Sequence, residues 1–344
     1  MKTMQIRSNA IDILKAFCAF LIVCIHIPFP GIFGMHIVTL ARIAVPIFFM
    51  ISGYFYSDII TRNGEVRQIK KIFRLLLAAN LIYVLWKVLL SIIWNDESFF
   101  QDTFSMKNLF QFLMFNESPF NGHIWYLGAI LYVLLIVQIL RRMGGQYWTR
   151  ILYVATPLLL IGDLLLGKYS ILLWGHEFPY IFVRNWLFVG MPYFSVGLIL
   201  RERINRSNLQ TTPLVCLTVI FSFTTLTERF FLVSAGVNAT RDHYISTTFL
   251  AVTVFLLFLS IYRLREPGKL GLLLAFVGRK YSTWVYIIHP IFITVFAVGM
   301  RKIGIYNVYQ YVAPIVIYAV SICFVVVISG MTDWAKRSQD KNIN

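Results

Sequence analysis

Ionisable side chains are costly in hydrocarbon and tend to mark function when they fall inside apolar segments. The first apolar run of the chain, roughly residues 11–29, holds three of them: Asp12, Lys15 and His26. Lys15 and His26 are 11 residues apart. At ~100° per residue that separation is ~20° past three full turns, so the two share a helix face ~16 Å apart along the axis. Asp12, three residues before Lys15, lies near the same stripe. One face therefore presents a charged pair at one end and, at the other, an imidazole that titrates near neutrality. The plainer alternative makes Asp12 and Lys15 a snorkelling interfacial pair and His26 an end cap.

Other polar residues extend this set. The second run, 38–57, carries Arg42 near one end and Ser52-Gly53 near the other. Small residues there suit close helix packing, whereas Arg42 is a cation in a region poor in them. Lys70, Lys71 and Arg74 form a basic cluster at the start of the third run. They serve either as topology-setting charge or as an anion site for phosphates, and the residues alone leave both open. His123, in Asn121-Gly-His-Ile-Trp-Tyr-Leu, is expected at the depth of His26, as a base or its partner. Trp125 and Tyr126 beside it suit an interfacial aromatic belt. Asp163, Arg184 and Asn185 fall near the same side. His289 precedes Pro290, whose ring frees a backbone carbonyl. His176 and His243 read as loop residues. No dinucleotide fingerprint, phosphate loop, C-x-x-C or metal-ligand spacing occurs, so no metal is expected.

The elements that must hold these residues follow from composition. The 344 residues are 58% hydrophobic and 13% charged. Soluble chains carry about 25% charged residues, so a soluble fold is excluded. A net charge of +16 would suggest nucleic acid on a soluble protein. Here the basic residues sit in gaps between apolar runs, which points to membrane topology and to no nucleic-acid partner. Ten runs approach the ~20 residues that a bilayer span needs: 11–29, 38–57, 72–94, 124–140, 151–167, 184–200, 212–232, 244–262, 281–300 and 310–332. Alternate gaps, including both termini, hold 21 of the 31 Lys and Arg residues, and the other set holds 8. The expectation is an all-α integral membrane protein of about ten transmembrane helices, both termini cytoplasmic. It has a single membrane domain over 1–333 and a short polar cytoplasmic tail over 334–344. The first run is expected to stay as a helix, since Asp12 and Lys15 and the lack of a small-x-small site disfavour a cleaved signal peptide. The longest outer connection, about 95–123 with Asp96, Glu97, Asp102 and Glu117, is either a partial lid or a plain solvated loop.

The order of motifs resembles the acyltransferase type-3 family of bacterial membrane O-acyltransferases. It runs Asp12-x-x-Lys15, His26, Val45-Pro-x-Phe-Phe-Met-Ile-Ser-Gly-Tyr-Phe, Lys71-x-x-Arg74, His123-x-Trp-Tyr-Leu, and Tyr281-Ser-x-x-x-Tyr-x-x-His289-Pro. The resemblance covers the whole chain. One departure is Lys15, where the family usually has Arg; Lys keeps the charge but loses the planar fork. The resemblance implies transfer of an acyl group, usually acetyl, from cytoplasmic acyl-CoA to a hydroxyl of a cell-surface carbohydrate or related acceptor, in the bacterial inner membrane. His26 would be the general base. Asp12, Lys15, His123 and Arg42 would complete the catalytic set, with Lys70, Lys71 and Arg74 on the CoA phosphates. Trp125, Tyr126, Asp163, Arg184, Asn185 and His289 would contact the acceptor. A similar module forms the membrane half of vancomycin-resistance serine racemases, and Asp163 with Arg184-Asn185-x-x-Phe188 looks like that branch. This keeps a second reading, a transporter of a small polar solute or an amino acid such as serine.

Overall fold

The computed structural model describes residues 9–95, 103–204, 208–237, 243–261 and 267–343, the stretch 334–343 by backbone only. Helices account for almost all of it, and no strand occurs among the described residues. In chain order they are α1 (Asn9–His26), α2 (Gly31–Ala41), α3 (Ala44–Tyr54), α4 (Tyr56–Ile60), α5 (Glu65–Trp94) and α6 (Met106–Phe115). Then come α7 (Trp125–Gly144), α8 (Trp148–Leu166), α9 (Ser170–Trp174), a π-helical turn (Trp186–Gly190) and α10 (Met191–Arg203). The chain ends with α11 (Thr211–Ser234), α12 (Ile245–Ile261), α13 (Lys269–Lys280), α14 (Ser282–Lys302), α15 (Tyr306–Tyr309) and α16 (Ala313–Ile343).

Each of the ten apolar runs falls on helix. Among the described residues, eight stretches are long and apolar enough to cross a membrane; one of them, Gly122–Leu166, holds both α7 and α8. The helix Ile245–Ile261 is apolar but shorter. The last helix continues through the expected polar tail to Ile343. Several charges behind the sidedness argument lie outside the described residues: Lys2, Arg7, Arg206, Arg241, Arg263 and Arg265, with the side chains of Lys336, Arg337 and Lys341.

Three departures from simple spans have local causes. The second run is not one helix. Pro46 lacks an N–H and its ring crowds the carbonyl four residues back, which belongs to Arg42, so the chain turns at Arg42–Ile43 between α2 and α3; a separate break at Phe55 sets off α4. The run at 184–200 begins with a π turn just before Pro192; the Gly190 amide reaches back five residues to the Asn185 carbonyl at 3.2 Å. A widened turn relieves the proline clash with residue 188. The connection expected on the outer side contains α6, N-capped by the Ser105 hydroxyl, which accepts from the Asn108 amide at 3.3 Å. Asn116 closes α6 in a left-handed conformation, φ 61°. The residues Asp96, Glu97 and Asp102 of that connection lie outside the described residues.

Two compact units divide the chain: Met1–Ala44, Arg206–Val219 and Thr253–Asn344 form one, Val45–Asn205 and Ile220–Val252 the other. In the first, α1 is central and touches α2, α13, α14 and α16. Gly271, Ala275 and Gly278 make a small-residue stripe on α13. A Cβ on Gly278 would run into the Asp12 carbonyl, so glycine alone admits that backbone approach. Tyr318 of α16 donates its hydroxyl to the Ala16 carbonyl at 2.8 Å. In the second unit, α3 and α10 cross on reciprocal glycines: Gly53 lies against the Phe194 carbonyl and Gly197 against that of Met50. The expected packing role of Ser52-Gly53 is thus met on Gly53. Ion pairs tie α7 to α5 through Arg141–Glu65 and α10 to α4 through Arg201–Asp58, the latter at 2.9 Å.

Candidate functional site

In the first unit, α1 is one unbroken helix, so Asp12, Lys15 and His26 keep the face the spacing predicts. Lys15 Nζ donates to Asp12 Oδ1 at 3.0 Å. Asp12 is buried; its Oδ2 makes no hydrogen bond among the described residues. His26 is exposed at the end of α1, and its ring meets that of His289 with centroids 5.1 Å apart. His289 is fully buried on α14. Its Nδ1 lies 3.0 Å from the Val285 carbonyl. A carbonyl only accepts, so Nδ1 carries a proton and Nε2 is the basic nitrogen of the neutral ring. Arg42 occupies the turn between α2 and α3 and is half-buried. His289, expected as an acceptor contact, lies in ring contact with His26.

The second unit gathers two further groups. His123 sits in a 3₁₀ turn, Gly122–Ile124, capped by Asn121, whose side chain accepts from the His123 amide at 3.2 Å. Its ring stands edge-on to the buried Tyr83 at 5.0 Å. Asn116 joins the neighbouring segments: Nδ2 donates to the Trp125 carbonyl at 3.0 Å, and Oδ1 accepts from the Trp186 amide at 3.2 Å. The Arg184 guanidinium lies over the rings of Tyr180 and Trp125, at 4.5 and 5.5 Å. Tyr126 packs edge-on to Phe49 at 4.8 Å. Asn185 spends its amide on the backbone, accepting from Leu187 and Phe188 and donating to Ile181 and Phe182. Those four bonds build the π turn.

Asp163 and His243, 80 residues apart, meet at 2.7 Å, both buried. The sequence reads His243 as an ordinary loop residue; it is the partner of the one carboxylate inside the fifth run. The signal lies in Asp163, since a buried carboxylate demands a partner, but no periodicity says which residue supplies it. Lys168 is buried nearby, 4.5 Å over the Tyr244 ring. Glu228 of α11 accepts from the Ile245 and Ser246 amides at 2.7 and 3.1 Å, capping α12, and also accepts hydrogen bonds from the hydroxyls of Ser246 and Tyr169. At the first turns of α5, Arg67, Lys70, Lys71 and Arg74 fall on one exposed face. Lys70, Lys71 and Arg74 pair with no carboxylate among the described residues. No cluster of metal-ligating side chains occurs among the described residues.

Two known proteins are similar to this sequence over most of its length. The chain is 28% identical to an amino-acid racemase of Enterococcus faecalis, over 85% of this chain and 42% of that protein. It is 25% identical to a serine/alanine racemase of Enterococcus gallinarum, over 92% of this chain and 46% of that protein. The chain thus spans under half the length of these curated relatives. No solved structure matches it. A family model described as an acyltransferase domain matches residues 8–334, nearly all of both units. An all-helical chain with membrane-spanning segments, matched over nearly its whole length by that model, is a multi-pass membrane protein of the acyltransferase-domain family.

Proposed function

We propose that this protein is an O-acyltransferase of the bacterial inner membrane, taking an acyl group, with acetyl the first choice, from cytoplasmic acyl-CoA to a hydroxyl of a cell-surface carbohydrate or related acceptor. The observation that carries the reading is the exposed His26 backed by the buried His289. A ring nitrogen of His26 takes the proton of the acceptor hydroxyl as its oxygen attacks the thioester carbonyl carbon. The C–S bond then breaks, and the CoA thiolate leaves and is reprotonated. His289, within ring contact, fixes the position of His26 and offers a second imidazole for the proton. Arg42 is the cation of the same unit suited to the developing oxyanion. The basic face of α5, with no carboxylate paired to Lys70, Lys71 or Arg74 among the described residues, supports a role for these three on the CoA phosphates. A second reading, transport of a small polar solute or amino acid, draws support from the buried Asp163–His243 pair, a polar site inside an apolar segment.

The test is acyl transfer by protein reconstituted in nanodiscs, read as release of free CoA thiol from acetyl-CoA across a panel of hydroxyl acceptors. A general base contributes typically ~10²–10⁴-fold, so His26→Ala and His26→Gln should both lose that much rate. Both should keep the rise in melting temperature that acetyl-CoA gives the wild type. A Gln variant working at the wild-type rate removes the base. Absence of any response to acetyl-CoA, together with uptake of labelled serine into proteoliposomes, favours the transporter.

A further inference from the structure

The second unit holds a cavity of about 340 Å³ with no part in the chemistry above. Its walls include Phe115 of α6, Leu166 of α8, Phe182, and the π turn with Trp186, Leu187 and Phe188. The volume is within the range of small-molecule sites, ~300–1,000 Å³. The polar groups in the wall are spoken for: Asn185 is consumed by four backbone bonds, and the Trp186 indole donates to the Met114 carbonyl at 3.0 Å. Such a space offers nothing to water and everything to hydrocarbon. It is built around a π turn, a rare element found often at functional sites.

Two neighbours say what kind of hydrocarbon. The helix α6 exposes Met106, Leu109, Phe110, Leu113 and Met114, spaced as one apolar stripe. An exposed apolar stripe on a helix tethered between apolar spans suits the membrane interface, where lipid acyl chains are at hand. Between the wall residues Phe182 and Asn185 stands Arg184, half-buried on Tyr180 and Trp125. Its guanidinium forms no ion pair among the described residues; Glu117, which also borders Gly122, does not close on it. We propose that this cavity binds the aliphatic tail of an anionic membrane lipid, whose phosphate is held by Arg184. The inference gives Arg184, expected above as an acceptor contact, a lipid phosphate instead, and it uses none of the acyl-transfer chemistry at His26.

Trp186 makes it measurable. Protein in phosphatidylcholine nanodiscs would be doped with dibrominated phosphatidylglycerol or, at equal mole fraction, dibrominated phosphatidylcholine. The Trp186-dependent signal is the difference from Trp186→Phe. Phosphatidylglycerol should quench that signal at about tenfold lower mole fraction, the size of one charge-assisted hydrogen bond. Arg184→Gln should erase the preference; its melting temperature, read alongside, checks that losing the contacts with Tyr180 and Trp125 has not unfolded the site. Leu187→Phe, which fills the cavity, should weaken quenching by both lipids. Equal quenching by the two lipids in the wild type, or a preference that survives Arg184→Gln, overturns the proposal. Should Trp186→Phe fail to fold, native mass spectrometry of wild type against Arg184→Gln, counting retained phosphatidylglycerol, decides the same question: equal retention overturns it.

Discussion

A carboxylate within a bilayer-spanning run is tolerated only with a partner, and Asp163 shows how far the chain goes to supply one. Its imidazole comes from His243, at the start of α12, and Tyr193 packs edge-on against that ring at 5.6 Å. Tyr193 is itself fixed by a 2.8 Å bond to the Thr248 hydroxyl. Removing one member of a buried pair strands the other charge, at a cost of about 3–5 kcal/mol. His243→Ala should therefore lower unfolding stability in detergent by that amount. The double variant Asp163→Asn/His243→Gln should recover part of it, since neither side chain then carries charge. If the single variant melts with the wild type, the pair does not hold the unit together. Asp163 is legible in the sequence as an ionisable group in an apolar run. His243 is not, because contact across 80 residues leaves no trace in spacing.

At the scale of elements, proline and small residues decide where the spans depart from plain helices. Pro46 and Pro192 break or widen helices, and the stripe Gly271, Ala275 and Gly278 lets α13 close on α1. Apolar length, the signal that finds spans, is blind to α13: its 12 residues read as part of a basic connection. The same signal misses α6, whose apolar stripe is periodic but short. The amino-terminal turns of α5 carry their cations on one exposed face. A charge-assisted hydrogen bond is worth about 1.5–3 kcal/mol, so replacing both Lys71 and Arg74 by Gln should weaken acyl-CoA binding by about that amount for each phosphate interaction removed. Calorimetry on the purified protein measures this; unchanged affinity returns the cluster to a purely topological role. Both side chains are exposed, so the fold should survive the change.

For the whole molecule, orientation in the bilayer rests on the lopsided distribution of Lys and Arg. Single cysteines at Asn63 and Lys107, in a background freed of Cys18, Cys24, Cys216 and Cys323, test it directly. Both positions are exposed, Asn63 in the turn before α5 and Lys107 on α6. An impermeant thiol reagent added to intact spheroplasts should label Lys107→Cys and spare Asn63→Cys; the reverse pattern inverts the topology. The sequence by itself determined the class of the protein, the runs that become helices, and the shared face of Asp12, Lys15 and His26. Those are consequences of composition, of the length a bilayer demands, and of the 3.6-residue turn, all of which act within one segment. Only the tertiary structure decided that His289 stands behind His26, that His243 answers Asp163, and that a π turn and α6 enclose an apolar cavity. These contacts join segments far apart in the chain, where packing shape and the need to neutralise buried charge, rather than any local period, select the partner.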